Sequence, residues 1–253
     1  MCGSNRFYLA AAAALAVLAG SVALAQAPEA PLDDTRLTVH TLLREDVFAG
    51  FIGGDMERLA RGEKNIDLLM EKRPADRAAL VAWKASTILY RAIVAHEAKQ
   101  RDKFDKHYAQ ALDLYAQARK LIKPQNYELL AIEGGSYAMF ADRLPKEHQA
   151  AAWTQAYESF QGLWKVQAPI VDKLPLHLKG ELWSGLAASA QRTGRAEEAR
   201  QHLDKMLELL KDTPYEAPAK EWKANPTSTR RLTCLSCHDA GRLSDRLSAL
   251  EKK

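Results

Sequence analysis

From about Leu37 to Pro214, apolar positions recur at helical spacing almost without a break. Val81, Ala85, Ile88, Leu89 and Ala92 fall on one stripe of period 3.6, and Tyr108, Ala111, Leu112, Tyr115 and Ile122 fall on another. Alternation of the strand type, bounded by turn residues, does not occur, so the pattern predicts an all-α chain. Helix stops are predicted at Pro74, Pro124, Pro169 and Pro214, with tight turns at Gly53-Gly54 and Gly194. Residues 26–36 contain prolines ahead of the first stripe and read as a flexible segment.

The prolines expose a repeat. Gly62-x3-Ile66 precedes Pro74, Ala111-x3-Tyr115 precedes Pro124, Ala156-x3-Phe160 precedes Pro169, and Ala199-x3-Leu203 precedes Pro214. In each, a small residue lets a neighbouring helix approach and a large one fills the space a turn later. This resembles the second helix of a tetratricopeptide repeat, A-x3-F followed by proline. The last unit matches furthest, with Trp183-x2-Leu186 on its first helix and Gly194 at the turn. The small residues lie 49, 45 and 43 positions apart, longer than the 34 of that family, which implies extended helices or loops. The resemblance implies stacked antiparallel helical hairpins over 37–214 and a groove for a partner segment.

Two terminal segments change the picture. Arg6 opens a short positive region, Phe7 to Leu18 is uncharged and alanine-rich, and Ala23-Leu24-Ala25 is a small-x-small site. Residues 1–25 therefore read as an export signal cleaved after Ala25, predicting a periplasmic protein with no stable membrane insertion. The rival reading is a retained anchor, since Phe7 to Ala25 runs 19 residues without charge. Cys2 is not a lipidation site, because Ser21 stands where that cysteine belongs. Cleavage leaves Cys234 and Cys237 as the cysteines of the mature chain.

The whole chain of 253 residues carries a net charge of +4, too mild for a nucleic-acid binder. That charge is unevenly placed. Ala217 to Lys253 holds eight Lys and Arg against four Asp and Glu, a net of +4, so the preceding body is near neutrality.

Within the basic tail stands Cys234-Leu235-Ser236-Cys237-His238, a C-x-x-C-H motif. Two thiols at this spacing can each add to one vinyl group of a single porphyrin, and the adjoining histidine supplies the proximal nitrogen to iron. Attachment of this kind takes place outside the cytoplasm, in agreement with the export signal. A thioredoxin-like pair would need a strand-to-helix junction, a structural zinc site would need four ligands, and a disulfide across this loop would staple almost nothing. The motif thus predicts one covalent haem c held by Cys234, Cys237 and His238.

Locally this segment resembles a c-type cytochrome, and its place near the C-terminus, with Asp239 and Arg242 following, is similar to cytochrome c′. That family carries the motif on the last helix of a four-helix bundle and leaves the iron without a sixth protein ligand. The Asn225-Pro226 junction and the long repeat body depart from it, so five-coordination does not carry over. Only 15 residues follow His238 and none is Met or His, so a sixth ligand must come from upstream, another chain or a small molecule. His202 and Met206 are nearest in sequence and lie at i, i+4. Core packing is the plain role for Met206, and a surface position for His202. The five tryptophans read as core, with Trp222, in the linker of the 215–253 tail, available to pack on a haem.

The expected function is electron transfer by an exported monohaem cytochrome, with the repeats docking an acidic protein redox partner. Two alternatives stay open: gas binding or sensing at a five-coordinate haem, and a repeat scaffold with a structural haem. A glycine-rich phosphate loop, a Ser-His-Asp series and H-E-x-x-H are all missing, so the chain does not read as an enzyme.

Overall fold

A computed structural model describes residues 30–123, 127–213, 216–225, 248 and 250. The described chain is all-α. Its helices are α1 (Val39–Gly53), α2 (Met56–Lys72), α3 (Arg77–Glu97), α4 (Arg101–Lys120), α5 (Glu128–Phe140), α6 (Lys146–Gln167), α7 (Leu176–Arg192), α8 (Ala196–Leu209) and α9 (Glu216–Ala224). They pair in order, α1 with α2, α3 with α4, α5 with α6 and α7 with α8. First helices of successive pairs also touch, α1 on α3, α3 on α5 and α5 on α7.

Local chemistry sets the turns. Thr38 caps α1 by accepting from the Thr41 N–H at 3.2 Å, and Gly54, with φ +69°, ends it by donating back to Ala49 and Gly50. Asp55 then caps α2 through the Arg58 N–H at 3.0 Å, so two residues reverse the chain. Gly194 does the same between α7 and α8 with φ +79°. The α3–α4 turn lacks glycine. Lys99 takes φ +58° there, held by the Lys99 and Gln100 N–H groups donating to His96 and Ala95. Proline spacing marks ends as expected: α2 stops just before Pro74, and Pro169 sits in the 3-10 turn that follows α6. Pro124 and Pro214 lie outside the described residues.

The four small-x3-large pairs all fall on second helices, α2, α4, α6 and α8, and all eight residues are buried. Gly62 packs against Val47, where an added Cβ would come within 3.1 Å. Phe160 is 2 % exposed and its ring lies between two glycines of first helices, Gly134 on α5 and Gly185 on α7. Two stripe positions need correction. Leu112 and Ile122 are each 41 % exposed, and the buried stripe of α4 is Phe104, Tyr108, Ala111, Tyr115 and Ala118. Leu112 lies 100° around the helix from Ala111, enough to turn it from α3 to solvent. Helix α3, preceded by the Pro74–Asp76 turn, is apolar enough to cross a membrane by length and composition, yet it is mostly buried among the other helices.

Residues 30–36, which read as flexible, are tied down. The Arg73 guanidinium donates to the carbonyls of Leu32, Asp34 and Leu37 at 2.6 to 3.2 Å, and Lys72 pairs with Asp33 at 2.7 Å. Polar groups also cross the core. Ser136 donates to Ser86 at 2.7 Å, and Ser86 lies 2.9 Å from the Tyr115 hydroxyl. Glu133, 1 % exposed, pairs with Arg119 of α4 and accepts from Ser159 of α6 at 3.2 Å. Burial pushes its carboxyl above the ordinary range against the pull of Arg119.

On α1, Asp46 accepts from Arg61 at 2.7 and 2.5 Å and from Arg58 at 2.9 Å, all from α2. Burial opposes its charge, but these hydrogen bonds prevail and hold the carboxyl below its usual value. The stability it contributes is complete above the unfolded carboxyl value of about 3.9 and is lost as pH falls through the lower folded value. Asp46→Asn should lower unfolding free energy by about 2 kcal/mol at neutral pH and flatten the acid limb of a denaturation series. Gly185→Ala should cost about 1–3 kcal/mol in the same measurement, because its methyl would enter the Phe160 ring. Phe160→Leu in the Gly185→Ala background should recover part of that loss.

Candidate functional site

Cys234, Cys237 and His238 lie outside the described residues, as do residues 1–25. What the structure describes is the ground on either side of the motif. Upstream, residues 216–224 form α9, which packs on α8, where the sequence read as linker. Trp222 is 3 % exposed and donates its indole N–H to the Gln191 side chain of α7 at 3.1 Å. It therefore packs on the helical body. Lys223 pairs with Asp204 of α8 at 2.5 Å. Downstream, Leu250 is half-buried against the main core.

Beside α9 lies an open groove of about 460 Å³ lined by Trp164 of α6, Trp183 of α7, and Gln201, His202, Asp204, Lys205 and Glu208 of α8. Three rings cross it in sequence. Trp164 and Trp183 have centroids 4.8 Å apart, and Trp183 and His202 5.6 Å apart. Trp183 is 7 % exposed and its indole N–H finds no acceptor among the described residues.

His202 is not the surface residue its polar neighbours suggest. Its side chain is 14 % exposed, and Nε2 lies 3.2 Å from Glu198 Oε1 one turn earlier. Glu198 in turn accepts from the Tyr157 hydroxyl at 2.9 and 3.0 Å and from the Gln161 amide at 2.5 Å, both on α6. Burial, aided by the Glu198 carboxylate, keeps the Tyr157 phenol above its usual value and so protonated as donor. Arg195 covers the Tyr157 ring at 4.1 Å. Met206 takes the core role: it is fully buried beneath α8. Helical spacing puts the two sixth-ligand candidates one turn apart, yet the structure sends one into a groove and the other into the interior.

No protein-family model, curated protein or solved structure matches this chain.

Trp83, Trp153, Trp183 and Trp222 are buried, as the core reading has it, while Trp164 is half-buried on the groove. Glu198 was not singled out by sequence, although Glu198-x3-His202 is a visible i, i+4 pair. Among the described residues no group of three or more His, Cys, Asp or Glu is arranged to hold a metal ion. Glu198→Ala should strand the Tyr157 and Gln161 donors at the α6–α8 contact and lower stability by about 1–3 kcal/mol, measured by chemical denaturation. Glu198→Gln, which keeps an acceptor, should lose less.

Proposed function

We propose that this chain is an exported c-type cytochrome with one covalent haem, which transfers electrons to or from a protein partner. The observation that carries the reading is Cys234-Leu235-Ser236-Cys237-His238. Its donor set fits the group by chemistry. Each thiol can add its S–H across one vinyl group, forming one C–S and one C–H bond with no net oxidation, and His238 brings an imidazole to the iron. Bound, the haem supplies a one-electron couple.

The remainder of the chain acts as a carrier in this reading. We take its hairpins as a tetratricopeptide-like stack, supported by the four buried small-x3-large pairs on second helices and by the touching first helices. Trp222, buried, and Leu250, half-buried, both pack on the helical body. The net +4 of Ala217–Lys253 favours an acidic partner by steering its approach. Exposed Val166, Ile170, Leu176 and Leu178 along the α6–α7 connection give the body an apolar surface for contact.

Production in a periplasm with haem-maturation machinery should give a chain whose haem survives denaturation and acid extraction. The pyridine haemochrome spectrum should report one haem per chain. Cys234→Ala with Cys237→Ala should abolish that covalent haem while retaining the helical circular dichroism of the body. Removal of residues 1–25 should keep the product cytoplasmic and haem-free. A wild-type chain exported without haem overturns the reading.

A further inference from the structure

The two ends of the helical stack differ in what they expose. Arg119 of α4 donates to Gln155 of α6 at 2.5 Å, and the Tyr108 ring of α4 lies 4.5 Å from the His148 ring of α6, so these two helices run in the same direction. Their C-termini therefore leave the stack at one end, the end at which α7 begins. Six of the nine large apolar side chains left exposed among the described residues lie there. They are Leu121 and Ile122 after α4, Val166 and Ile170 at the close of α6, and Leu176 and Leu178 at the start of α7, each 37 to 41 % exposed. The opposite end carries Ile52 and Met139.

Packing of the core does not account for the α6–α7 group. Val171 turns in against the core while its neighbour Ile170 stays in solvent. Pro169 in the 3-10 turn and Pro175 before α7 restrict the connection, so these side chains are held in place before anything binds. Side chains of a first helical turn lean toward the helix N-terminus, which carries Leu176 and Leu178 out over this end. The charge around them is one-sided. Residues 165–179 hold Lys165, Lys173 and Lys179 against Asp172, a net of +2 with His177 neutral. Among the described residues no carboxylate pairs with Lys165 or Lys173, nor with Lys120 and Lys123 beside Leu121 and Ile122. At the opposite end, Arg101, Arg143 and Arg192 are each paired, with Asp105, Glu97 and Asp142.

We propose that this end of the stack docks the chain on a lipid bilayer with anionic headgroups. The apolar side chains enter the boundary between headgroups and acyl chains, and the lysines meet lipid phosphates, a combination that holds a surface to a membrane reversibly and without a spanning helix. Unpaired lysines set among exposed leucine, isoleucine and valine suit that boundary, whereas protein interfaces are depleted in lysine at their cores. The inference goes beyond the cytochrome reading and does not depend on the haem.

The test is cosedimentation of the full, exported chain with vesicles of equal parts phosphatidylglycerol and phosphatidylcholine, and with vesicles of phosphatidylcholine alone. The chain should bind the mixed vesicles, leave them as salt is raised, and bind the neutral ones far more weakly. Ile170→Ser with Leu176→Ser should weaken binding to the mixed vesicles about tenfold. Lys165→Ala with Lys173→Ala should weaken it about fivefold per lysine, and this pair carries the test if circular dichroism shows the serine variant unfolded. Absence of binding to the mixed vesicles overturns the inference, as does equal binding to neutral ones or binding that both variants leave unchanged. A chain that ignores vesicles but is retained on poly-glutamate through the same lysines assigns the face to an acidic protein, and one that ignores them but dimerises through Ile170 and Leu176 assigns it to a second copy. Either result overturns the proposal. A haem-free chain that binds as expected upholds it and overturns the cytochrome reading alone.

Discussion

The ring of Phe160 is the contact on which the second half of the body depends. It leaves α6 and enters the space over Gly134 of α5 and Gly185 of α7, so one side chain joins its own hairpin to the next. Glycine is required at the closer approach, since a methyl at Gly185 would enter the ring, while one at Gly134 would meet it at 3.2 Å. The distance between α6 and α7 is set there, and with it the separation of Trp164 from Trp183. At the other end of the body, Gly50 against Leu59 and Gly62 against Val47 set the α1–α2 spacing by the same means. Close backbone approach, bought by small residues and closed by one large ring or branched chain, recurs along the fold.

That device explains how much of the architecture can be read before any coordinates. A small residue followed by a large one a turn later is a local pattern, and the proline after it is another, so the second helices are visible in the sequence. The stripe on α4 is visible too, but its edges are not: Ala111 and Leu112 are both apolar, and only the position of α3 decides that the larger one faces water. Polar residues in the interior defeat pattern reading altogether. Glu133 and Ser86 look like surface or boundary positions until Arg119, Ser136 and Ser159 arrive from other helices. Helix α9 was hidden by its brevity and its flanking prolines. Its signals were the Glu216–Lys220 pair and the Ala219 and Trp222 face, which only docking on α8 makes decisive.

The site divides in the same way. The proposed attachment residues Cys234, Cys237 and His238 are legible because their motif is contiguous, and contiguity is what a sequence records. The groove is not, because Trp164, Trp183 and His202 come from three helices and meet through the packing around Phe160. A lone histidine between Gln201 and Leu203 carries no mark of two indoles nearby. The carboxylate that orients it is four residues away and visible, yet the donors that hold the carboxylate belong to α6. Chemistry set by bond lengths is local, and chemistry set by tertiary packing is distributed over the chain.

The pairing of each helix with its neighbour in order has a kinetic consequence. Most of the contacts that build this body close short loops, and the entropy of closing a loop grows with its length. A chain of this topology reaches its native contacts without first bringing distant segments together, and folds fast for its size. Each hairpin also gains its partner only when the next one is made, so protection from solvent exchange should deepen from the outer pairs toward α3 to α6. The segment with the least local support is α9, which borrows its order from Gln191 and Asp204 rather than from its own nine residues.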